Sequence, residues 1–275
     1  MKRAFHFFVA IQWTLGFLRK GLIPVLINFK KRQSEILQFS VFLPSMNPSK
    51  VILTVTAHPD DEVLGFGGTS YALSKKGYTV FNLILSGQVD ARQHRPNVDD
   101  LHRHTANAQE IIGAEKPILG PFPNIKFNTV PHLDLVQFIE KYIEEIQPDY
   151  VFTHHPYDLN NDHYHTSKAC QAAIRLFQRK PVKPISGFYF MEILSSTDWA
   201  FPVDGQNFTP TAFWEIGEEG VQKKIEALRC YEGVMRDFPH PRSEEILKGL
   251  AAYRGGQAGL KYAEGFQVVF QQNIF

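Results

Sequence analysis

The stretch Val51-Ile52-Leu53-Thr54-Val55-Thr56-Ala57-His58-Pro59-Asp60-Asp61-Glu62 decides how the chain is read. Its first six residues are apolar or β-branched without polar alternation, the pattern of a strand buried on both faces. Immediately afterwards the chemistry changes to imidazole, proline and three carboxylates. The same change recurs at Tyr150-Val151-Phe152-Thr153, a second buried strand, which runs into His154-His155-Pro156-Tyr157-Asp158-Leu159-Asn160-Asn161-Asp162-His163. A third strand is expected over 79–85, and helical patterns over 68–76, 100–112, 132–146 and 163–178. Strands alternating with helices predict an α/β domain with a mainly parallel sheet. Ligands of such sheets sit beyond the carboxyl ends of the strands. Both polar loops therefore fall on one edge.

Imidazole and carboxylate are the usual non-thiol ligands of catalytic zinc, and three protein ligands leave a fourth position for water. His58 and Asp61, held by a proline-containing turn, offer two ligands, and His163 is a natural third. Asp60 then lies beside the metal without binding it, placed as a general base toward an activated water. Each residue also has a plainer role. Asp60 and Asp61 suit helix caps, Asp162 suits the N-cap of a helix starting near His163, and a lone strand-end histidine is usually a hydrogen-bonding residue. Two His/Asp clusters at equivalent strand ends favour the metal.

Further from these loops, the 275 residues suffice for one large domain, and 44% hydrophobic with 21% charged residues is ordinary for a soluble protein. Two isolated cysteines, Cys170 and Cys230, exclude a disulfide framework and a thiolate zinc site and suit a reducing, cytoplasmic setting. The net charge of +1 hides an asymmetry: residues 1–34 carry seven Lys and Arg and no acid, leaving −6 on the rest. That segment also holds Phe5, Phe7, Phe8, Trp13, Phe17 and Phe29, as an interfacial helix would, peripheral to a membrane. His6, Gln12, Arg19 and Lys20 interrupt it too often for a transmembrane span, and no small-x-small cleavage site follows. The competing expectation is a helical arm packed on the domain or on a second copy of the chain. Leu43–Ser49 is the best linker, dividing an extension over 1–45 from a domain over 46–275. The nearly neutral remainder gives no electrostatic footprint for nucleic acid.

Ala57-His58-Pro59-Asp60-Asp61-Glu62 with Gly65-Phe66-Gly67-Gly68-Thr69 resembles the signature of the PIG-L/LmbE-like de-N-acetylases. Asp158-Leu159-Asn160-Asn161-Asp162-His163 resembles that family's second metal motif. Weaker similarity touches Phe122-Pro123, Glu192–Thr197, Pro239–Ser243 and Tyr262–Phe266, so it spans roughly 50–270 and leaves the extension outside. The resemblance implies a Rossmann-like three-layer domain, Zn2+ held by His58, Asp61 and His163, and Asp60 as general base. The implied substrate is an N-acetylated sugar or glycoconjugate. Asp60, Asn160 and Asp162 are the candidate catalytic residues. The chain departs from the better-known pattern twice. Asn160 stands where a histidine thought to stabilise the oxyanion is expected, and Asn124 where an Asp is expected. An amide donates a hydrogen bond but carries no proton. Either Asn160 does the work, or His154, His155, His165 or His240 takes it over.

Gly65-Phe66-Gly67-Gly68 lacks the Gly-Lys-Ser/Thr of a phosphate loop and reads as close backbone packing at the start of a helix. Arg242 and Arg254 are expected to pair with Glu244, Glu245 or Glu264, the alternative being an anionic group on the substrate. Trp199 and Trp214 are read as core residues. Specificity is expected from loops around 88–100, 121–131 and 200–215. The rival functions are a non-catalytic sugar- or lipid-binding relative, which the intact His58, Asp60, Asp61 and His163 argue against, and a zinc amidase acting on a non-sugar N-acyl substrate.

Overall fold

A computed structural model describes residues 49–88 and 97–272. The basic, aromatic segment, with its expected helix, membrane contact and domain boundary, lies outside the described residues. So does 89–96, the middle of the first expected specificity loop.

Seven strands form one sheet: β1 (Val51–Thr56), β2 (Thr79–Ile84), β3 (Ile118–Leu119), β4 (Tyr150–His154), β5 (Gly187–Met191), β6 (Ala212–Glu215) and β7 (Ala263–Gln271). Their spatial order is β3-β2-β1-β4-β5-β7-β6. From β3 to β5 all neighbours are parallel, whereas β7 runs antiparallel to β5 and β6 antiparallel to β7. The helices are α1 (Asp61–Ser74), α2 (Val98–Ile111), α3 (His132–Ile146), α4 (Asn161–Ala173), α5 (Gly217–Arg229) and α6 (Glu244–Ala258).

Strand β1 shows why the layers form. Ile52 packs into one core with Val63 and Phe66 of α1 and Ile225 of α5. Leu53 and Val55 point the other way, into a core with Leu135, Ile139 and Ile143 of α3 and with Ala169 and Ala173 of α4. A strand with apolar side chains on both faces needs cover on both, so the sheet lies between two helical layers. This is the Rossmann-like α/β arrangement expected from the sequence. The chain leaves β1 through α1 on one face and β4 through α4 on the other. The carboxyl ends of these neighbouring strands therefore open a crevice at a topological switch point.

Three expectations need correcting. The first helix begins at Asp61, not near Gly68. Its glycines are close-contact points, as read from the sequence: a Cβ on Gly65 would stand 2.8 Å from Ile193 Cδ1, and one on Gly68 2.7 Å from Ile216 Cδ1. Each glycine costs about 1 kcal/mol of helix propensity, and close packing against the sheet outweighs it. Trp214 is a core residue, its ring 5.2 Å from Phe152, but Trp199 is half exposed and edge-on to His240. Neither arginine pairs as expected: Arg254 makes two 2.7 Å bonds to Glu192, and Arg242 turns to Asp60. Among the described residues no helix is long and apolar enough to cross a membrane.

Candidate active site

His58 follows β1 directly, Asp61 is the first residue of α1, and His163 lies in the first turn of α4. The switch point brings the three together, buried, with one ligand atom of each within 4.8 Å of the others. Hydrogen bonding decides which atoms these are. His58 Nε2 is 3.0 Å from Asp162 Oδ2, and His163 Nδ1 is 3.1 Å from Asp158 Oδ1. Each carboxylate takes the N–H of its imidazole and fixes the tautomer, so that in the neutral ring the opposite nitrogen carries the lone pair. Those nitrogens, His58 Nδ1 and His163 Nε2, face the same oxygen, Asp61 Oδ2, at 3.4 and 3.1 Å. His163 Nε2 is buried without a hydrogen-bond partner. An orphaned acceptor converging with a second imidazole nitrogen and a carboxylate oxygen fits a divalent cation.

The electrostatics agree. Burial opposes charge on His163, but the Asp61 and Asp158 carboxylates outweigh it and push its pKa up to about 10. Burial likewise opposes charge on Asp61, yet His163 and His58 hold its carboxyl well below the usual range. The centre is thus built to hold positive charge. Asp162 completes the support, accepting the N–H groups of Ile125 (2.6 Å) and Phe127 (2.9 Å) as well as binding His58. The N-cap of α4 is Asn160, whose Oδ1 accepts the Asp162 N–H at 2.9 Å. Asp162 therefore does not cap the helix; fully buried, it faces His58 and the 125–127 backbone.

Asp60 has a separate cradle. Its φ of 109° lies in the left-handed region that non-glycine residues avoid. The strained peptide is tied down where its N–H donates to Glu62 Oε2 at 3.0 Å. Glu62 in turn accepts from Gln109 Nε2 at 2.9 Å and from the Tyr231 hydroxyl. On the side-chain end, Arg242 Nη1 lies 3.3 Å from Asp60 Oδ2, while its Nε donates to Ser195 Oγ at 2.7 Å.

All these groups meet in a cavity of about 620 Å³. His58, Asp60, Asp61, Asn160 and His163 line it, with Asn124, Ile125, Ser195, Ser196, Arg236 and Arg242. Of the four non-glycine residues with positive φ among the described residues, Asp60, Ile125 and Ser195 line this cavity and Gln147, the C-cap of α3, does not. Strain gathered at one site is characteristic of ligand-binding machinery. The Asn160 amide has its oxygen engaged in the cap, which leaves its NH2 as the donor. None of His154, His155, His165 and His240 lines the cavity. His154 is stacked on His163 at 3.8 Å, and burial takes its pKa down to about 3. His155 packs between Phe190 and Phe208, and burial takes it to about 4. Asp158, Glu62, Tyr231, Ile125 and Ser195 stand in the site without individual roles legible in the sequence. Asp158 is legible in principle, five residues before His163 in a polar loop. The others depend on contacts between remote segments.

Residues 53–174 match the family described as GlcNAc-PI de-N-acetylase, PIG-L. The chain is 27% identical over 201 residues to the uncharacterized deacetylase YaiS of Escherichia coli, covering 70% of this chain and 96% of that protein. It is 26% identical over 258 residues to the diacetylchitobiose deacetylase of Thermococcus kodakarensis, covering 88% and 92%. The structure of N,N′-diacetylchitobiose deacetylase from Pyrococcus horikoshii superposes with a TM-score of 0.66 at 19% identity, over 88% of this chain and 92% of that one. The hydratase GalB of Pseudomonas putida, acting on 4-carboxy-2-hydroxymuconate, gives the same TM-score at 21% identity, over 82% and 98%. Fold alone therefore does not select the reaction.

Proposed function

We propose that the chain, whose residues 53–174 match the PIG-L family, is a zinc-dependent N-deacetylase of an N-acetylated sugar or sugar conjugate. One observation carries the reading: two imidazole nitrogens and one carboxylate oxygen converge, each imidazole oriented by its own buried carboxylate. A catalytic centre needs three such ligands and an open fourth side, and here that side is the cavity. The relative named for diacetylchitobiose supports the sugar substrate.

His58 Nδ1, His163 Nε2 and Asp61 Oδ2 would hold the ion. When bound, it supplies a lowered pKa for water and polarisation of the acyl carbonyl. Asp60 takes the proton of the attacking water. The same carboxyl, protonated, then returns that proton to the nitrogen of the departing amine. Arg242 keeps Asp60 turned toward the cavity, and the Asn160 NH2 donates to the developing oxyanion. Asp158 and Asp162 act through the histidines they orient. With two cysteines in no disulfide, a reducing cytoplasm is the setting we assign. The test is metal analysis of the purified protein together with amine release from a panel of N-acetyl sugars and non-sugar N-acetyl amides. Release confined to the non-sugar amides would replace the sugar reading, and absence of bound metal would remove the zinc.

A further inference from the structure

Resting on the deacetylase reading, we propose that Ile125 is the residue that sets acyl-chain length, closing the acyl side of the cavity to groups longer than acetyl. An acetyl group presents one methyl to its enzyme, and its recognition requires an apolar wall near the centre. Most of the cavity lining is polar; among the described residues Ile125 and Val234 are its only branched apolar side chains. They differ in what fixes them. Val234 follows α5, beside Glu232 and Arg236, and is almost wholly buried. Ile125 is 47% exposed, and its N–H is bound at 2.6 Å to Asp162 Oδ2, the same oxygen that holds His58 Nε2 at 3.0 Å. One carboxylate oxygen thus sets both a ligand imidazole and the backbone of Ile125. The distance between apolar wall and reacting centre is thereby fixed.

The backbone supports the same conclusion. Ile125 has φ 57°, a conformation disfavoured for a β-branched side chain, which glycine or asparagine would adopt with less strain. Its neighbour is held as well, with Asn124 buried and its Nδ2 donating to Gln88 O at 3.2 Å. A branched side chain kept at a strained position, half exposed inside a cavity, is explained by a ligand group that it must meet.

The experiment compares N-acetyl and N-butyryl forms of one amino sugar, as kcat/KM, in the native protein and in Ile125→Ala and Ile125→Gly. Both variants keep the N–H that Asp162 binds, and glycine also relieves the φ. Val234→Ala serves as the comparison on the other wall. The butyryl-to-acetyl ratio should rise by on the order of 10-fold or more in both Ile125 variants and stay near the native value in Val234→Ala. Metal content should not change. In parallel, acetate and butyrate binding to the zinc-loaded proteins is measured by calorimetry, which requires no turnover. Native protein should prefer acetate, and the Ile125 variants should lose that preference. If the native protein cleaves neither amide yet the carboxylate preference disappears with Ile125, the acyl wall stands and the deacetylase reading falls. Unchanged ratios and unchanged carboxylate preference in both variants, or a shift produced by Val234→Ala alone, would overturn the proposal.

Discussion

Asp61 Oδ2 and Asp60 Oδ2 belong to adjacent residues and face different groups, the first the His58 and His163 imidazoles and the second the Arg242 guanidinium. The difference gives separable predictions. His58→Ala and His163→Ala should each lose most bound metal on elemental analysis, and full retention in both would refute the ligand set. Asp60→Asn should retain metal while turnover falls by roughly 10²-fold or more. Asp162→Asn should weaken metal binding by about 10–100-fold in chelator competition, since a neutral amide still touches His58 but orients it less strongly. Binding unchanged in that variant would restrict Asp162 to holding the 125–127 backbone. His163 carries the pH dependence. Its pKa is raised from 6.5 to about 10 by Asp61 and Asp158 against burial. In the metal-free protein this contributes stability that is complete below 6.5 and fades as pH climbs through 10. At pH 7–8 the metal must displace that proton, so binding should release about one proton per ion and weaken roughly tenfold per unit of falling pH. Calorimetry in buffers of different ionisation enthalpy measures this, and zero proton release would show that His163 is neutral beforehand.

At the scale of elements, the Asp60 turn is held by a buried polar chain that ties three segments together. Gln109 of α2 and Tyr231 after α5 both donate to Glu62 of α1, and Glu62 accepts the Asp60 N–H. Tyr231→Phe removes one donor from a buried carboxylate, at an expected cost of about 1–3 kcal/mol in denaturant unfolding. Because the loss loosens Asp60 and not the ligands, kcat should fall while metal content holds; an unchanged kcat would make the chain purely structural. The sequence could not disclose this chain, since Glu62 and Tyr231 lie 169 residues apart. What it does disclose is local. The β1 and β4 runs are legible because a doubly buried strand needs no alternation, and their polar sequels mark the carboxyl edge. The glycines Gly65 and Gly68 are legible as close-packing positions, and they do meet Ile193 and Ile216, but the helix that carries them starts earlier, at Asp61, because its first turn is made of the polar residues of the site loop. Asn160 was legible as a departure from the family pattern. That its oxygen caps α4 and its NH2 is left for the cavity required the fold.

For the whole molecule, the unequal distribution of charge is the property that the proposed deacetylase site does not explain. Seven basic residues and six large aromatics in 1–34, with no acid, sit on a chain whose remainder carries −6. A net acidic domain is repelled by anionic phospholipid, so any attraction to such a surface must come from the extension. Each Lys or Arg near such a surface contributes about 1 kcal/mol, and the aromatic side chains add apolar burial at the headgroup boundary. We predict that the full chain co-sediments with anionic vesicles and that a chain beginning at residue 46 does not. The shortened protein should retain its metal and its activity on a soluble N-acetyl sugar. The electrostatic part of the binding should weaken from low salt to 0.15 M, where the Debye length is about 8 Å, while the aromatic part should persist. Equal co-sedimentation of both chains would remove the membrane proposal. A shortened chain that fails to fold would instead make the extension an arm packed on its own domain or on a second copy.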